Sequence, residues 1–222
     1  MARTAQGRAA AAALSRDRVV DEAMMIVAER GLAGLSMRML AQRCGIGTMT
    51  LYGFVATKDE LVGAIGNRIL DLLVLPDAAL PWQERLRRLY QGLRTVLGAH
   101  PELAQIFATQ HINGDAAYRA AEVAMTAFGD AGLDTGGAVA AFTAFSGFVI
   151  GFVQQEAAQV AGGVPLDRRL AGLAALPRAQ YPAILAAGAD FLDRTDGAHF
   201  AAGLEFLIDG IRTDRGTATT AQ

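Results

Sequence analysis

Cysteine and histidine are scarce in this sequence. Its 222 residues include one cysteine and three histidines. The lone Cys44 excludes an internal disulfide, and the scattered His100, His111 and His199 do not have the spacing of metal ligands. We therefore expect a cytoplasmic protein without a structural metal or a cofactor.

Motifs of enzyme chemistry are also lacking. The chain has no Cys-x-x-Cys pair, no nucleophile elbow and no zinc-binding His/Glu helix. The segment from Gly45 through Gly47 to Thr50 superficially resembles a dinucleotide-binding turn. That motif requires a preceding strand, whereas here a helical pattern precedes it. We predict that the protein is not an enzyme.

Patterns for secretion and membrane insertion are incomplete. The apolar run Ala9–Leu14 is shorter than the roughly 7–15 residues of a signal-peptide core, and residues 1–14 are predicted to form a flexible arm. The uncharged segment Thr135–Gln155 is long enough to cross a ~30 Å hydrocarbon layer. Its polar Thr143 and Ser146, and the lack of flanking Lys or Arg, favour a buried or interface helix and no membrane association.

Charge is distributed unevenly along the chain. Residues 1–68 carry nine basic and six acidic side chains, a net charge of +3. The remaining residues carry eleven basic and sixteen acidic side chains, a net charge of −5. A basic segment joined to an acidic body suggests a polyanionic partner at the N-terminal end.

Helical periodicity dominates and strand alternation is absent. The first apolar face is formed by Val20, Ala23, Met24 and Val27, and Ser15 is a suitable N-cap. Thr57 and Glu60 have the spacing of a capping box. We predict an all-α chain of nine or ten helices, with a looser region around the late prolines. The predicted domains are an N-terminal domain at 15–62 and a larger C-terminal domain at 63–215, with a polar tail at 216–222.

Two short helices are predicted on either side of Gly45-Ile46-Gly47. In the second, Leu51 and Val55 share an apolar face that anchors the helix. At about 100° per residue, Met49, Thr50, Tyr52 and Gly53 point away from this face. This arrangement is typical of a helix-turn-helix, whose second helix enters a major groove about 12 Å wide.

The order of motifs makes the prediction more specific. Residues 31–61 read GLAGLSMRMLAQRCGIGTMTLYGFVATKDEL. They combine a Gly-x-x-x-Leu-Ser entry, Leu-Ala before the turn, Thr-Leu-Tyr after it and a final Lys-Asp-Glu-Leu. Residues 14–66 thus resemble the DNA-binding domain of the tetracycline-repressor (TetR) family of bacterial transcription regulators.

The resemblance implies an all-helical homodimer with a C-terminal effector pocket. It also implies a protein that binds palindromic double-stranded operator DNA, and we expect a repressor that a small effector releases by moving the helix after the capping box. An arginine can bond a guanine edge, threonines suit the groove floor, and a tyrosine or lysine suits a phosphate. The DNA-binding residues implied are Arg38, Thr48, Met49, Thr50, Tyr52, Gly53 and Lys58.

Aromatic residues in the C-terminal portion mark a possible effector pocket. Several of these aromatic residues recur at helical spacing and so form a stripe on one face of a helix. Such a stripe is also compatible with an ordinary core or a dimer interface. Such walls suit an apolar or aromatic small molecule, with Gln110, His111 or Gln155 fixing its orientation. The full set of candidate pocket residues is Tyr90, Phe107, Gln110, His111, Met125, Phe128, Phe145, Phe148, Phe152 and Gln155.

Gly53-Phe54 departs from the family pattern, in which a large or basic residue is often followed by His or Tyr. Neither residue can donate a side-chain hydrogen bond to a phosphate. Arg3 and Arg8 can compensate in the minor groove or can belong to an unstructured leader. The alternative function is a small-molecule-binding helical dimer with weak or sequence-blind DNA binding, and the sequence leaves repressor versus activator open.

Overall fold

The computed structural model describes residues 14–109, 112–160, 162, 164–192 and 196–217. Within these ranges the chain forms α-helices and no strand, which confirms the predicted all-α class. A short 3-10 segment, Leu32–Gly34, follows the first helix. The α-helices are α1 (Arg16–Arg30), α2 (Met37–Arg43), α3 (Thr48–Leu51), α4 (Lys58–Leu70), α5 (Trp82–Gly98), α6 (Pro101–Thr109), α7 (Asp115–Asp130), α8 (Thr135–Val160), α9 (Leu166–Ala174), α10 (Pro182–Ala187), α11 (Ala189–Leu192) and α12 (Gly197–Thr217).

The chain separates into two compact units, one ending at Ile150 and the other beginning at Gly151. The first unit contains α1 to α7 and more than half of α8. The second contains the end of α8 and helices α9 to α12. Residues 1–13 and 218–222 lie outside the described residues, and with them nearly all of the predicted arm and most of the predicted tail.

Side-chain caps begin the first two N-terminal helices, and Ser15 is the cap that the sequence predicts. The Ser15 and Ser36 hydroxyls each accept a hydrogen bond of 3.2 Å from a first-turn amide, of Arg18 and Met39 respectively. Gly31 and Gly45 follow α1 and α2 with φ of 69°, a left-handed conformation that glycine adopts without strain. Local side-chain chemistry therefore sets the bounds of these helices.

Arg43, the last residue of α2, ties α2 to α1. Its guanidinium donates to Glu22 at 2.9 Å and to Glu29 at 2.8 Å. The hydrogen bond from Arg43 also lowers the pKa of Glu29 below its ordinary value. This pairing ties the end of α2 to α1, just ahead of the Cys44–Gly47 turn.

The N-terminus of α4 carries the predicted capping contacts. The Thr57 hydroxyl accepts from the Glu60 amide at 3.0 Å, and the Glu60 carboxylate accepts from the Ala56 amide at 2.7 Å. Arg16 adds a salt bridge to Glu60 at 2.9 Å. The Ala56 hydrogen bond first, and Arg16 second, lower the pKa of Glu60 below its ordinary value of 4.5.

We predict that the Glu60 contribution to stability depends on pH. Because the pKa of Glu60 is lower in the folded than in the unfolded chain, its contribution is complete above about pH 4.5 and is lost as pH falls through the folded pKa. Urea unfolding of the wild type and Glu60→Ala, followed from about pH 7 to about pH 2.5, should show a difference in free energy that shrinks at acid pH. Glu60→Gln, which keeps a neutral acceptor, is the control. A difference that is constant with pH would contradict the assignment.

The rest of the first unit is built on α5, α7 and the start of α8. Fully buried apolar residues of α5 and α7, such as Leu86, Leu97 and Ala124, form its core. The guanidinium of Arg85 is also buried, with its residue 5% exposed, and it pairs with Asp130 at the end of α7. This ion pair satisfies a charge that would otherwise be costly to bury.

The second unit contains more helix than the sequence indicated. Three short helices, α9, α10 and α11, form where prolines suggested a looser region. Proline sits at the start of α10 and just before α9, positions at which a missing amide costs little. Phe152 packs edge-on against Phe200 of α12, with ring centroids 5.1 Å apart.

Helix α8 contains the long apolar segment noted in the sequence. Its residues Thr135–Gln159 are the only span among the described residues that is long and apolar enough to cross a membrane by those two measures alone. Of its most apolar window, 28% is buried within the chain. Core and interface helices of soluble proteins share this length and composition, so the measures do not place the helix in a membrane.

Candidate DNA-binding and effector sites

The turn between α2 and α3 is closed by backbone hydrogen bonds. The Ile46 amide donates to the Ala41 carbonyl at 3.0 Å, and Gly47 then serves as the N-cap of α3. Leu51 is completely buried and Val55 is 1% exposed, which confirms them as the anchors of this helix. The second helix of the helix-turn-helix is therefore fixed on its inner side.

The outer side of α3 is exposed. Met49 is 84% exposed and Tyr52 is 45% exposed, although both are large. Thr50 and Gly53 are also exposed, and Thr48 is half-buried at the start of the helix. The exposed methionine and tyrosine lie beside two threonines. Together they form a surface whose apolar groups and hydroxyls can contact a base edge or a phosphate.

Arg38 and Lys58 flank this helix in sequence on two different elements. Arg38 is the second residue of α2, Lys58 is the first residue of α4, and both are exposed. The predicted DNA-binding residues are thus exposed or half-exposed and lie on α2, α3, the turn after α3 and the start of α4. Their roles on DNA remain predictions.

Gly53 and Phe54 end this surface. A Cβ atom at position 53 would lie 3.2 Å from the Thr50 carbonyl oxygen, so glycine permits a close return of the chain. Phe54 is half-buried, and its amide donates to the Leu51 carbonyl at 2.9 Å. The end of α3 therefore presents backbone and apolar groups, and neither side chain can donate a hydrogen bond.

Three of the candidate effector residues meet in one aromatic cluster. The ring centroids of Tyr90 and Phe145 lie 5.0 Å apart, and those of Phe128 and Phe145 lie 5.2 Å apart in an edge-on arrangement. Each of the three side chains is at most 2% exposed. We call Tyr90, Phe128 and Phe145 the aromatic cluster; it joins α5, α7 and α8.

The Tyr90 hydroxyl is the polar group of this cluster. Burial raises its pKa well above the ordinary value of 10, and the nearby Ser146 side chain opposes the shift. Within the described part of the chain, the hydroxyl has no partner at ordinary hydrogen-bond geometry. A buried hydroxyl without a partner is costly and offers a bond to a molecule that enters the cluster.

The other candidates are more dispersed. Phe107, Met125 and Phe148 are half-buried in the first unit. Phe152 and Gln155 belong to the second unit, where Phe152 packs on Phe200 and Gln155 is exposed. Gln110 and His111 lie outside the described residues.

Sequence reasoning did not assign a role to two polar features of the first unit. The buried Arg85 on α5 reads in the sequence as one more charge of an amphipathic helix, and nothing local identifies Asp130 as its partner. Ser146 carried a weak signal, because a polar residue in a long uncharged helix needs a reason to be there.

Two family models match most of the chain. The model described as "Bacterial regulatory proteins, tetR family" matches residues 19–65. The model described as "Tetracyclin repressor-like, C-terminal domain" matches residues 75–215. The match to the first model includes all of α2, α3 and the start of α4.

Relatives along nearly the whole chain agree with these matches. The HTH-type transcriptional repressor DrrR1 of Streptomyces coeruleorubidus is 30% identical over 211 residues, which cover 89% of this chain and 77% of that protein. Tetracycline repressor protein class D of Escherichia coli is 30% identical over 203 residues, covering 90% and 89%. The crystal structure of ActR from Streptomyces coelicolor in complex with actinorhodin superposes with a TM-score of 0.82 at 28% identity, covering 91% of this chain and 99% of that chain.

Proposed function

This chain belongs to the tetracycline-repressor (TetR) family and is a ligand-responsive transcriptional repressor, and we propose that it binds a palindromic operator as a homodimer through α3. The observation that carries the proposal is the contrast between the two sides of α3. Leu51 on the inner side is completely buried and anchors the helix, while Met49 on the outer side is 84% exposed. A short helix held in this way can lie in a major groove without disturbing the fold. We propose that it acts in the cytoplasm.

We propose a division of roles among the exposed residues. Arg38 bonds a base edge, and Thr48, Met49 and Thr50 contact the groove floor. Tyr52 and Lys58 contact phosphates, and Gly53 lets the backbone approach. The DNA-binding domain is residues 15–62, and residues 63–215 bind the effector and form the dimer.

Exposed apolar side chains support the homodimer. Val139 of α8 is 51% exposed and Phe206 of α12 is 77% exposed. Burying such side chains against a second copy is favourable by about 25 cal/mol per Å². A two-fold dimer places its recognition helices about 34–36 Å apart for half-sites one helical turn apart. Sedimentation of the purified protein should give twice the 23.3 kDa of one chain.

We propose that the effector is a small aromatic molecule that enters beside the aromatic cluster. The edge-on ring packing there suits another aromatic ring, and the unpartnered Tyr90 hydroxyl offers one hydrogen bond. ActR, which binds actinorhodin in its crystal structure, supports the binding of a ligand by this chain. The effector releases DNA by moving α4 and so changing the separation of the two recognition helices.

Two substitutions distinguish base readout from phosphate contact. Arg38→Ala should relax the preference at one base pair of each half-site by about 1–3 kcal/mol. Lys58→Ala should weaken binding to all sequences alike and reduce the log–log salt slope by about 1. Titrations of operator and mutated duplexes at several salt concentrations measure both effects. Equal losses on every duplex for both variants would contradict these roles.

Selection of random DNA duplexes by the purified protein, at low and at moderate salt, tests the proposed function. An enriched inverted repeat is the expected result. Binding that is salt-sensitive but sequence-blind would instead favour the alternative, a ligand-binding dimer in which the exposed Gly53 has weakened recognition.

A further inference from the structure

The N-terminus of α7 is capped by a residue of another helix. Its own N-cap residue is Gly114, which has no side chain to accept from the first-turn amides. The side-chain oxygen Oδ1 of Asn67, on α4, accepts from the Ala117 amide at 3.3 Å. Ala117 is the third residue of α7, the position that an ordinary N-cap side chain would serve. Asn67 thus takes the place of the missing cap.

Two glycines allow the close approach that this contact needs. A Cβ atom at Gly114 would lie 2.2 Å from Oδ1 of Asn67 and 2.5 Å from its Cγ. A Cβ atom at Gly66 would lie 2.5 Å from Cδ1 of Ile112, just ahead of α7. Any larger residue at position 114 would push the Asn67 side chain out of its capping position.

A second contact lies one turn further along the same face of α4. Asp71, the C-cap residue of α4, pairs with Arg119 of α7 at 2.9 Å. Arg119 also pairs with Asp115 within α7. Because residues 67 and 71 are one turn apart, both contacts shift together when α4 moves.

Two ion pairs tie α4 to the first helix. Arg68 pairs with Asp21 at 3.2 Å, and Glu60 pairs with Arg16 at 2.9 Å. Helix α4 is therefore tied to α1 of the DNA-binding helices and, through Asn67 and Asp71, to α7. Helix α7 in turn carries Phe128 of the aromatic cluster.

We propose that Asn67 is a positioning residue that caps α7 from α4, so that the first turn of α7 is stabilised only while α4 keeps its place. The regulatory consequence rests on the proposed function, in which α4 moves between the DNA-bound and released states. A displacement of α4 removes the cap and loosens the first turn of α7. By linkage, a molecule that alters the start of α7 shifts α4 to the same extent.

Two variants separate the cap from the connection between the helices. Asn67→Ala removes the cap. The double variant Asn67→Ala/Gly114→Ser supplies a serine hydroxyl from within α7. The truncation removes the two closest atoms of Asn67, and the new Cβ then lies 3.0 Å from the Cβ that alanine keeps at position 67, so a shift of a few tenths of an ångström must admit it. The double variant restores a cap to α7 but no longer connects that cap to α4. Asn67→Asp, which keeps an acceptor oxygen, is the conservative control.

Amide hydrogen exchange of the free protein is the first measurement. In Asn67→Ala, the first-turn amides of α7 should exchange roughly 2- to 30-fold faster than in the wild type, the range expected for a lost N-cap. In the double variant and in Asn67→Asp they should return close to the wild-type rate. Wild-type exchange in Asn67→Ala would overturn the proposed cap.

The second measurement repeats the exchange with DNA bound. The probe is the duplex enriched by selection or, without enrichment, a random-sequence duplex at low salt. Binding should change the exchange rate of the first turn of α7 in the wild type and leave it unchanged in the double variant. An equal response in both proteins would overturn the proposed connection. Failure of every duplex to bind would contradict the proposed function instead, and the free-protein exchange would still decide the cap.

Discussion

Replacing Leu51 with alanine is expected to lower the free energy of unfolding by about 2–5 kcal/mol and to abolish DNA binding. Leu51 is the one completely buried residue of the short helix α3 among those described, and it has no exposed surface. Truncation removes the apolar contact and leaves a cavity under the helix. A helix of one turn cannot hold its position by its own hydrogen bonds. Urea unfolding followed by circular dichroism measures the loss.

Met49→Ala is the matched control for this prediction, because Met49 lies on the opposite side of the same helix. Its side chain is 84% exposed, so the free energy of unfolding should change by no more than about 0.5 kcal/mol. DNA affinity should nevertheless fall. If both variants kept wild-type stability, Leu51 would not anchor α3. If Met49→Ala kept wild-type DNA affinity, the outer side of α3 would not contact DNA at this residue.

Replacing Phe128 with alanine is expected to lower the free energy of unfolding by about 3–5 kcal/mol. Its side chain is fully buried on α7 and packs edge-on against Phe145 of α8. The loss combines the transfer of a large aromatic side chain with the cavity between α7 and its neighbours. Thermal and urea unfolding, with the slope of the urea transition compared between variants, measure it.

Tyr90→Phe is the control within the same cluster. It keeps the ring that contacts Phe145 and removes a buried hydroxyl without a partner among the described residues. Stability should stay the same or rise by about 1 kcal/mol, since the cost of burying that hydroxyl disappears. A loss as large as that of Phe128→Ala would show that the hydroxyl already has a strong partner. An unchanged stability in Phe128→Ala would contradict the packing of the cluster.

Local signals in the sequence were sufficient to predict where the N-terminal helices begin and end. Ser15 and Thr57 each cap the helix that the sequence assigned to them, and Ser36 caps α2 in the same way. Gly31 adopts the left-handed conformation that ends α1. Caps and glycine turns depend on residues within one turn of each other, so a sequence contains all of their determinants.

Local sequence patterns did not predict the contacts between residues that are far apart in the chain. The hydrogen bond from the Ala117 amide to Asn67 joins residues 50 positions apart, and neither residue has an unusual sequence setting. Arg85 and Asp130, which form an ion pair, are 45 positions apart in the sequence. In the proline-rich region, Pro182 starts a helix because it occupies a first-turn position, whereas its sequence context suggested a break.

The effector candidates show the same limit. Aromatic residues at helical spacing predicted an effector pocket, a core or a dimer interface along one face of α8, but not which rings would meet. Tyr90 and Phe145 are brought together by packing between α5 and α8, while Phe152 packs on Phe200 in the second unit. A periodic stripe identifies a face, and only the fold assigns its partners.

The central claim is that the outer side of α3 reads the sequence of operator DNA. The most direct test repeats the duplex selection with Thr50→Val, which removes an exposed hydroxyl and keeps the shape of the side chain. We predict that the wild type enriches an inverted repeat and that Thr50→Val changes the base preference at symmetry-related positions in both half-sites. An unchanged motif in the variant, or no inverted repeat with the wild type, would contradict the claim.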